Sequence, residues 1–390
     1  MPLKGRYLFT LRFLFYANTL RLPYRLLLAD GGVHPSLVKI MGDARTLFPY
    51  LDIEYIQYPD DTDFSMYFMK MADVLARVRT PYALMVDNDD FILPGGVESC
   101  LKFLDSHDDY AVCSGRIGGF TLYSGLGNAE GGLLGRLNRL YWYYPLQDLS
   151  YQSVADRLGG NRNAEWIYYG VTRTEVLATV WREVAELNFS DLTIYDVFHA
   201  TRVLTLGRAR MDSRCVSVVR QFGTSISPIY SQDWLHHFVR SRISSDIAAL
   251  VSRVSERAAD HGANKDDVAE ALFELLANRY YGFLRGTFGS AAIIKRHLRK
   301  TAPQLINWML NRPRYGLHRP RMSILLKQLL RAGADASYLE IFKAEMKSLG
   351  SITDGSEFRQ LIQGFREAFN DEHRGQKDLP ADSAGLRGQA

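Results

Sequence analysis

The chain has 390 residues, 47% of them hydrophobic and 23% charged, with a formal net charge of +4. That is enough apolar material for a large core in two or three domains, and the small charge excess gives no argument for nucleic acid as a partner. No run of about 18 apolar residues offers a membrane-spanning helix. Cys100, Cys113 and Cys215 are odd in number and lack metal-ligand spacing, so they read as buried thiols in a reducing compartment. The opening Met1-Pro2-Leu3-Lys4-Gly5-Arg6 has no apolar signal core. The expected location is cytoplasmic.

Tyr24 to Ala29 reads as a strand ending in Asp30-Gly31-Gly32, Ile53 to Gln57 as a second and Tyr82 to Val86 as a third. Between them, Phe64 to Val78 carries Met66, Met69, Ala72, Val74 and Leu75 at helical spacing, and Thr80-Pro81 stops it. This alternation predicts a parallel sheet covered on its faces. Leu93-Pro94-Gly95-Gly96 opens a helix to about Ser106, and Tyr110 to Ser114 follows as a strand. Glycine and tyrosine then dominate from about Gly115 to Asn163, as in Gly118-Gly119 and Tyr141-Trp142-Tyr143-Tyr144. So long a stretch with little periodicity predicts a loop region, either a lid facing substrate or a plain surface connection.

Residues 226–370 are predicted helical. Leu235, Val239, Ile243, Ile247, Leu250 and Val254 mark one buried stripe, and Val268, Leu272, Leu275, Leu276 and Phe283 a second. Leu305, Trp308 and Met309, then Ile324, Leu325 and Leu329, suggest more. His236-His237 lies on the first of these helices without a metal constellation. From 371 to 390 the composition predicts a disordered tail.

The chemical signal is at the end of the third strand, where Tyr82-Ala83-Leu84-Met85-Val86 runs into Asp87-Asn88-Asp89-Asp90. Carboxylates this close repel one another unless a cation neutralises them. A divalent metal with oxygen ligands, Mn²⁺ or Mg²⁺, is the usual solution, and phosphate oxygens are what such a metal most often holds. The alternative is that Asp89 and Asp90 only cap the next helix.

Taken together, Gly5-Arg6, Leu11-Arg12, Leu28-Ala29-Asp30-Gly31, the Lys70 helix, Thr80-Pro81-Tyr82 and Asp87-Asn88-Asp89-Asp90-Phe91 resemble bacterial glycosyltransferases of the GT-A fold related to family 2. The likeness extends more loosely through Trp166-Ile167-Tyr168-Tyr169-Gly170-Val171-Thr172-Arg173-Thr174 to about Gln221. It implies an α/β domain over 1–225, a Rossmann-like mixed sheet flanked by helices as in nucleotide-diphospho-sugar transferases, with a C-terminal helical extension. Asp87 and Asp89 would be the DxD pair on a divalent cation bridging the two phosphates of a nucleotide-sugar donor. Asp90 would be a further ligand or an outer acceptor. The resemblance also sets Asp30 and Gly31 at the nucleobase or ribose, and Arg6 and Lys70 as cationic contacts to the donor.

Asp196-Val197-Phe198-His199-Ala200-Thr201-Arg202 resembles the family segment whose carboxylate takes the proton from the acceptor hydroxyl. Asp196 is the expected base, with Asp191 as competitor. The usual Glu-Asp pair reads Tyr195-Asp196 here, so a first-turn or capping charge is the structural alternative. Trp166-Ile167-Tyr168-Tyr169 would be either a stacking platform under a sugar or a buried strand. The family implies inverting transfer to a hydroxyl of a glycan or glycolipid in surface polysaccharide assembly, compatible with peripheral association at the inner face of a membrane.

One departure stands out: family members begin with an apolar strand before the first-loop Arg, and most of that strand is missing here. A start placed too far downstream is the expectation, and Val/Ile-rich in-frame codons upstream would support it. Two rival functions fit parts of the pattern. A haloacid-dehalogenase-type phosphatase also sets DxD after an apolar strand, although Phe91 stands where its motif has Thr or Val. A non-catalytic carbohydrate-binding or scaffold protein on a degenerate GT-A fold is the other. Mn²⁺-dependent hydrolysis of a nucleotide sugar separates enzyme from scaffold, and phosphate release from a phosphomonoester picks out the phosphatase.

Overall fold

The computed structural model describes residues 1–123, 132–161, 164–222, 242–288 and 322–354, with positions 360 and 363. His236-His237, Leu235, Val239, Leu305, Trp308, Met309 and the predicted tail lie outside the described residues, as does the side chain of Phe283.

A two-residue strand, β1 (Pro2–Leu3), leads into α1 (Tyr7–Thr19), β2 (Leu26–Asp30), α2 (Pro35–Gly42), the short α3 (Ala44–Leu47), β3 (Ile53–Gln57) and α4 (Phe64–Ala76). β1, β2 and β3 form a parallel sheet, with Leu3 opposite Asp30 and Asp30 opposite Gln57. The strand ahead of Arg6 is therefore present as two paired residues. Next come β4 (Tyr82–Leu84), β5 (Phe91–Ile92), α5 (Pro94–Asp105), β6 (Tyr110–Tyr123), β7 (Arg136–Trp142), β8 (Asp148–Leu149) and α6 (Val154–Gly159). A 3₁₀ turn (Ala164–Tyr169), β9 (Val171–Arg173), α7 (Thr174–Leu187), α8 (Leu192–Leu206) and β10 (Arg208–Gln221) complete the sheet-bearing part. The second sheet runs β4-β9-β6-β10-β5, with β7 on β6 and β8 on β10. Only the β6–β10 pair in it is parallel. The fold is a mixed α/β sheet structure flanked by helices.

Three local expectations are corrected. The third strand stops at Leu84 and pairs antiparallel with β9, so Met85 and Val86 leave the ladder, both buried, to deliver the acidic turn. The region read as a loop from Gly115 holds most of β6, then β7, β8 and α6. Its glycines are structural: Gly119 pairs with Tyr141, and a Cβ there would fall 2.6 Å from that ring, so the missing side chain lets the aromatic lie on the backbone. Such a strand lacks the alternation that sequence reading relies on. Trp166–Tyr169 is a 3₁₀ turn rather than a strand.

The later helices α9 (Arg242–Ala259), α10 (Lys265–Phe288), α11 (Met322–Arg331) and α12 (Ala336–Asp354) extend the two hydrophobic cores. Leu250, Val254 and Leu272 join the core holding Phe68, Trp166, Trp181 and Phe198. Leu329, Phe342 and Leu349 join the one holding Phe13, Phe91 and Leu104. Truncating a fully buried aromatic such as Trp181 would cost about 3–5 kcal/mol. A Cβ on Gly96 would sit 1.8 Å from the Val216 carbonyl oxygen, so glycine lets α5 lie directly on β10, just behind the acidic turn.

Candidate functional site

The ends of β1, β4 and β10, the 3₁₀ turn and one face of α8 enclose a cavity of about 790 Å³. Asp87, Asn88 and Asp89 form one wall, and Tyr195, Asp196 and His199 another.

The acidic turn closes with the Asp90 amide donating to the Asp87 carbonyl at 3.2 Å. Its shape is imposed by buried donors. Arg12 bonds the carbonyls of Asp89 (3.1 Å) and Leu133 (2.7 Å), and the Asn88 amide donates to Thr10 Oγ1 at 3.2 Å. The backbone is thus pinned before any ligand arrives, which is how an enzyme avoids reorganisation during reaction. Asp87 accepts from the hydroxyls of Tyr169 (2.9 Å) and Tyr168 (3.2 Å). Asp89 meets Arg6 at 3.2 Å, from a backbone that takes the left-handed conformation at Arg6, φ 54°. Asp90 accepts from Arg220 Nε (3.0 Å) and the Gln221 amide (3.1 Å).

Each of the three carboxylates brings an oxygen within 4.8 Å of the others. About a third of the Asp87 side chain is open to the cavity, yet it lies deep enough that burial raises its pKa, with repulsion from Asp89 adding to the rise. Burial likewise pushes Asp90 up to about 8, against the pull of Arg220 and with Asp89 and Asp87 adding to the rise. Excess negative charge in a recess of hard oxygen donors suits a divalent cation. Asp87 and Asp89 face the cavity, whereas Asp90 is turned to Arg220. The helix-capping alternative does not hold: α5 begins at Pro94 after Leu93, with no side-chain cap.

Arg220 is the cation that binds this wall together. Its guanidinium lies over the rings of Tyr169 (4.2 Å) and Tyr143 (4.5 Å), donates to the Tyr144 hydroxyl (2.9 Å) and stands 4.0 Å from Asp87. A charged residue inside the apolar run Val218-Val219-Arg220-Gln221 was the sequence signal for it, because a buried charge needs a partner.

Asp30 and Gly31 do not line the cavity. The Asp30 carboxylate is consumed by the Gly32 amide (2.8 Å) and the Tyr55 hydroxyl (2.6 Å), so it closes the strand-ending turn. Gly31 instead gives room to Asp61, whose carboxylate oxygen would lie 2.0 Å from a Cβ at that position. Asp61 is the residue that reaches the cavity there, between Lys4 (3.5 Å) and Lys70. Lys70 does line the cavity, but it is buried, and burial lowers its pKa against the pull of Asp61. Arg6 is on the wall as expected.

The second acidic pair divides cleanly. Asp191 is the N-cap of α8, accepting from the Thr193 amide at 2.7 Å, and is buried away from the cavity. Asp196, one turn on, lines it. Burial pushes the Asp196 carboxyl up to about 8, and the charge of Glu165 adds to this while Arg279 opposes it. Glu165 is itself held by Arg279 of α10 at 2.7 Å, a rim contact that sequence reading missed. Trp166 is fully buried, its indole donating to Gln147 at 3.0 Å, and cannot stack on a sugar. Its neighbours Tyr168 and Tyr169 face the site instead.

No protein-family model and no curated sequence matches this chain. Among solved structures, residues 1–349 of S. aureus TarS superpose at a TM-score of 0.46 and 12% identity, over 92% of this chain and 90% of that one. The same protein in complex with UDP-GlcNAc gives 0.44 at 10% identity, over 92% and 90%. A longer S. aureus TarS gives 0.43 at 12% identity, over 90% of this chain and 53% of that one. Scores of this size leave the functional reading to the cavity's own residues. No helix among the described residues is long and apolar enough to cross a membrane.

Proposed function

We propose that this chain is a metal-dependent glycosyltransferase of GT-A type, transferring a sugar from a nucleotide-sugar donor to a hydroxyl of a glycan or glycolipid with inversion. The observation that carries this reading is the placement of two acidic groups on one cavity: the Asp87–Asp89 turn and Asp196 of α8. Asp87 and Asp89 would hold Mn²⁺ or Mg²⁺, which when bound neutralises the charge that gathers on a departing nucleoside diphosphate. Arg6 and Arg220, both at this wall, are placed to share that charge. Asp90, held by Arg220 and the Gln221 amide, orients the turn rather than binding the ion.

Asp196 would take the proton of the acceptor hydroxyl, which is a poor nucleophile while protonated. A pKa of about 8 makes it a strong enough base for that task, ionised in a usable fraction at neutral pH. Tyr143 and Phe222, which also line the cavity, offer apolar faces for an acceptor glycan. Surface polysaccharide assembly is the process this reaction would serve.

Incubation with UDP-, GDP- and dTDP-hexoses tests the reading. Mn²⁺-dependent release of nucleoside diphosphate, abolished by EDTA, is the expected result. Phosphate release from a phosphomonoester with no action on any nucleotide sugar would replace it with the phosphatase reading. Neither activity, with nucleotide sugars still bound, would leave a scaffold.

A further inference from the structure

The face that α8 presents to the cavity carries more than Asp196. Leu192, Tyr195, Asp196 and His199 line it at helical spacing, so three polar groups share one stripe. Two of these side chains are buried and unpartnered: Tyr195 is 3% exposed and His199 2%, and neither the Tyr195 hydroxyl nor His199 Nε2 has a hydrogen-bond partner among the described residues. A buried polar group left unmade costs about 1–3 kcal/mol, so two adjacent ones on a cavity wall call for an external partner.

The surroundings fix the chemistry of that partner. His199 lies among the rings of Tyr168, Trp181 and Tyr195, with centroids at 6.0, 6.1 and 6.0 Å. Burial lowers its pKa to about 4, so the imidazole is neutral near pH 7, with one nitrogen to donate and one to accept. The matching ligand group is neutral and both donates and accepts, which is a hydroxyl. An anion would meet Asp196 on the same helix face, and Arg202, the cation of α8, is buried against Glu183.

Tyr168 supplies the yardstick. Its hydroxyl donates to Asp87 and its ring packs edge-on against His199, so a single phenol separates the acidic turn from the unpartnered imidazole. One pyranose ring hung from a diphosphate at Asp87 and Asp89 spans a comparable gap. We infer that Tyr195 and His199 form the subsite for the hydroxyl groups of the transferred sugar, and that this sugar is a neutral hexosyl unit rather than a uronic acid. This rests on the proposed donor site.

The experiment measures affinity, with Mn²⁺, for UDP, GDP and dTDP and for their hexose forms, on wild type, Tyr195→Phe and His199→Phe, with Tm recorded without ligand. Tyr195→Phe and His199→Phe should keep nucleoside diphosphate affinity and lose about 10-fold or more for the hexose form. Their Tm should equal or exceed that of wild type, because each removes an unmade hydrogen bond. Wild type should also bind UDP-glucose more tightly than UDP-glucuronate if UDP is the preferred nucleoside diphosphate. Equal loss for diphosphate and sugar nucleotide, or a Tm drop without a change in sugar binding, would assign the pair to packing and overturn the inference alone. Preference for the uronate would overturn it as well. A wild type that binds no nucleotide sugar with Mn²⁺ would overturn both this subsite and the donor site beneath it. Should His199→Phe fail to fold, Tyr195→Phe, which deletes one unpartnered oxygen, decides the matter.

Discussion

The two acidic walls of the cavity are built on opposite terms. On the turn at residues 87–90, three carboxyl groups are crowded together and each is met by a fixed donor: tyrosine hydroxyls for Asp87, Arg6 for Asp89, and Arg220 with the Gln221 amide for Asp90. On α8, Asp196, Tyr195 and His199 are buried or half-buried among aromatics, and the last two carry orphaned polar atoms. A crowded, pinned cluster is suited to holding a cation at a set position. A desolvated, underused face is suited to acting on or recognising a group that comes and goes. The same low-polarity surroundings raise both Asp90 and Asp196 to about 8, but only Asp90 has a cation in contact to offset it.

The contrast is easiest to break at Asp196. Asp196→Asn should lower the transfer rate about 10³-fold while leaving donor affinity within a factor of a few, because a proton acceptor is lost without a change of shape. In wild type, kcat/KM should rise with pH up to about 8, since the base works only when ionised. The sign for stability is the reverse. A carboxyl raised from 3.8 to about 8 destabilises the fold progressively across that interval, so the asparagine variant should melt higher than wild type at pH 8 and no higher near pH 4. A flat rate profile, or a variant with unchanged turnover, would move the base elsewhere.

On the acidic turn, Asp89→Ala should abolish the Mn²⁺-dependent part of nucleotide binding, a loss of about 100-fold by calorimetry, with the fold intact. Unchanged Mn²⁺-dependent affinity would remove Asp89 from the site. Arg220→Met tests the pinning itself. It leaves Asp90 buried without its cation, at a cost of about 3 kcal/mol, visible in urea unfolding at pH 8 and smaller at pH 5, where Asp90 is protonated.

The smallest effect concerns the support behind the turn. Glu345 of α12 accepts from the Gly95 amide at 2.8 Å, at the start of α5, and burial raises it to about 7 against the pull of that bond. Its folded form therefore favours the proton, so stability present below about 4.5 is lost as pH rises through about 7. Glu345→Gln should flatten that part of the pH–stability curve.

How far the sequence could be read differs by feature for physical reasons. β2, β3 and α4 were legible because apolar periodicity and turn residues act locally. The acidic turn was legible because three carboxylates after an apolar run are costly under any fold. β6 beyond Ser114 was not, since Gly118 and Gly119 owe their place in the strand to Tyr141 and Trp142 on a partner segment. Asp30 misled for a related reason. Its position at a strand end was right, but whether its carboxylate faces a ligand or its own turn depended on Tyr55, 25 residues away.

Composition and spacing by themselves determined an α/β chain with a cation-seeking acidic turn, because charge crowding and hydrophobic period are properties of neighbouring residues. Only the tertiary structure decided which acids share a cavity: Asp196 and Asp61 entered it, Asp191 became a cap and Asp30 a turn. A side chain's chemistry is set by its type, but the partner that claims it arrives from far along the chain.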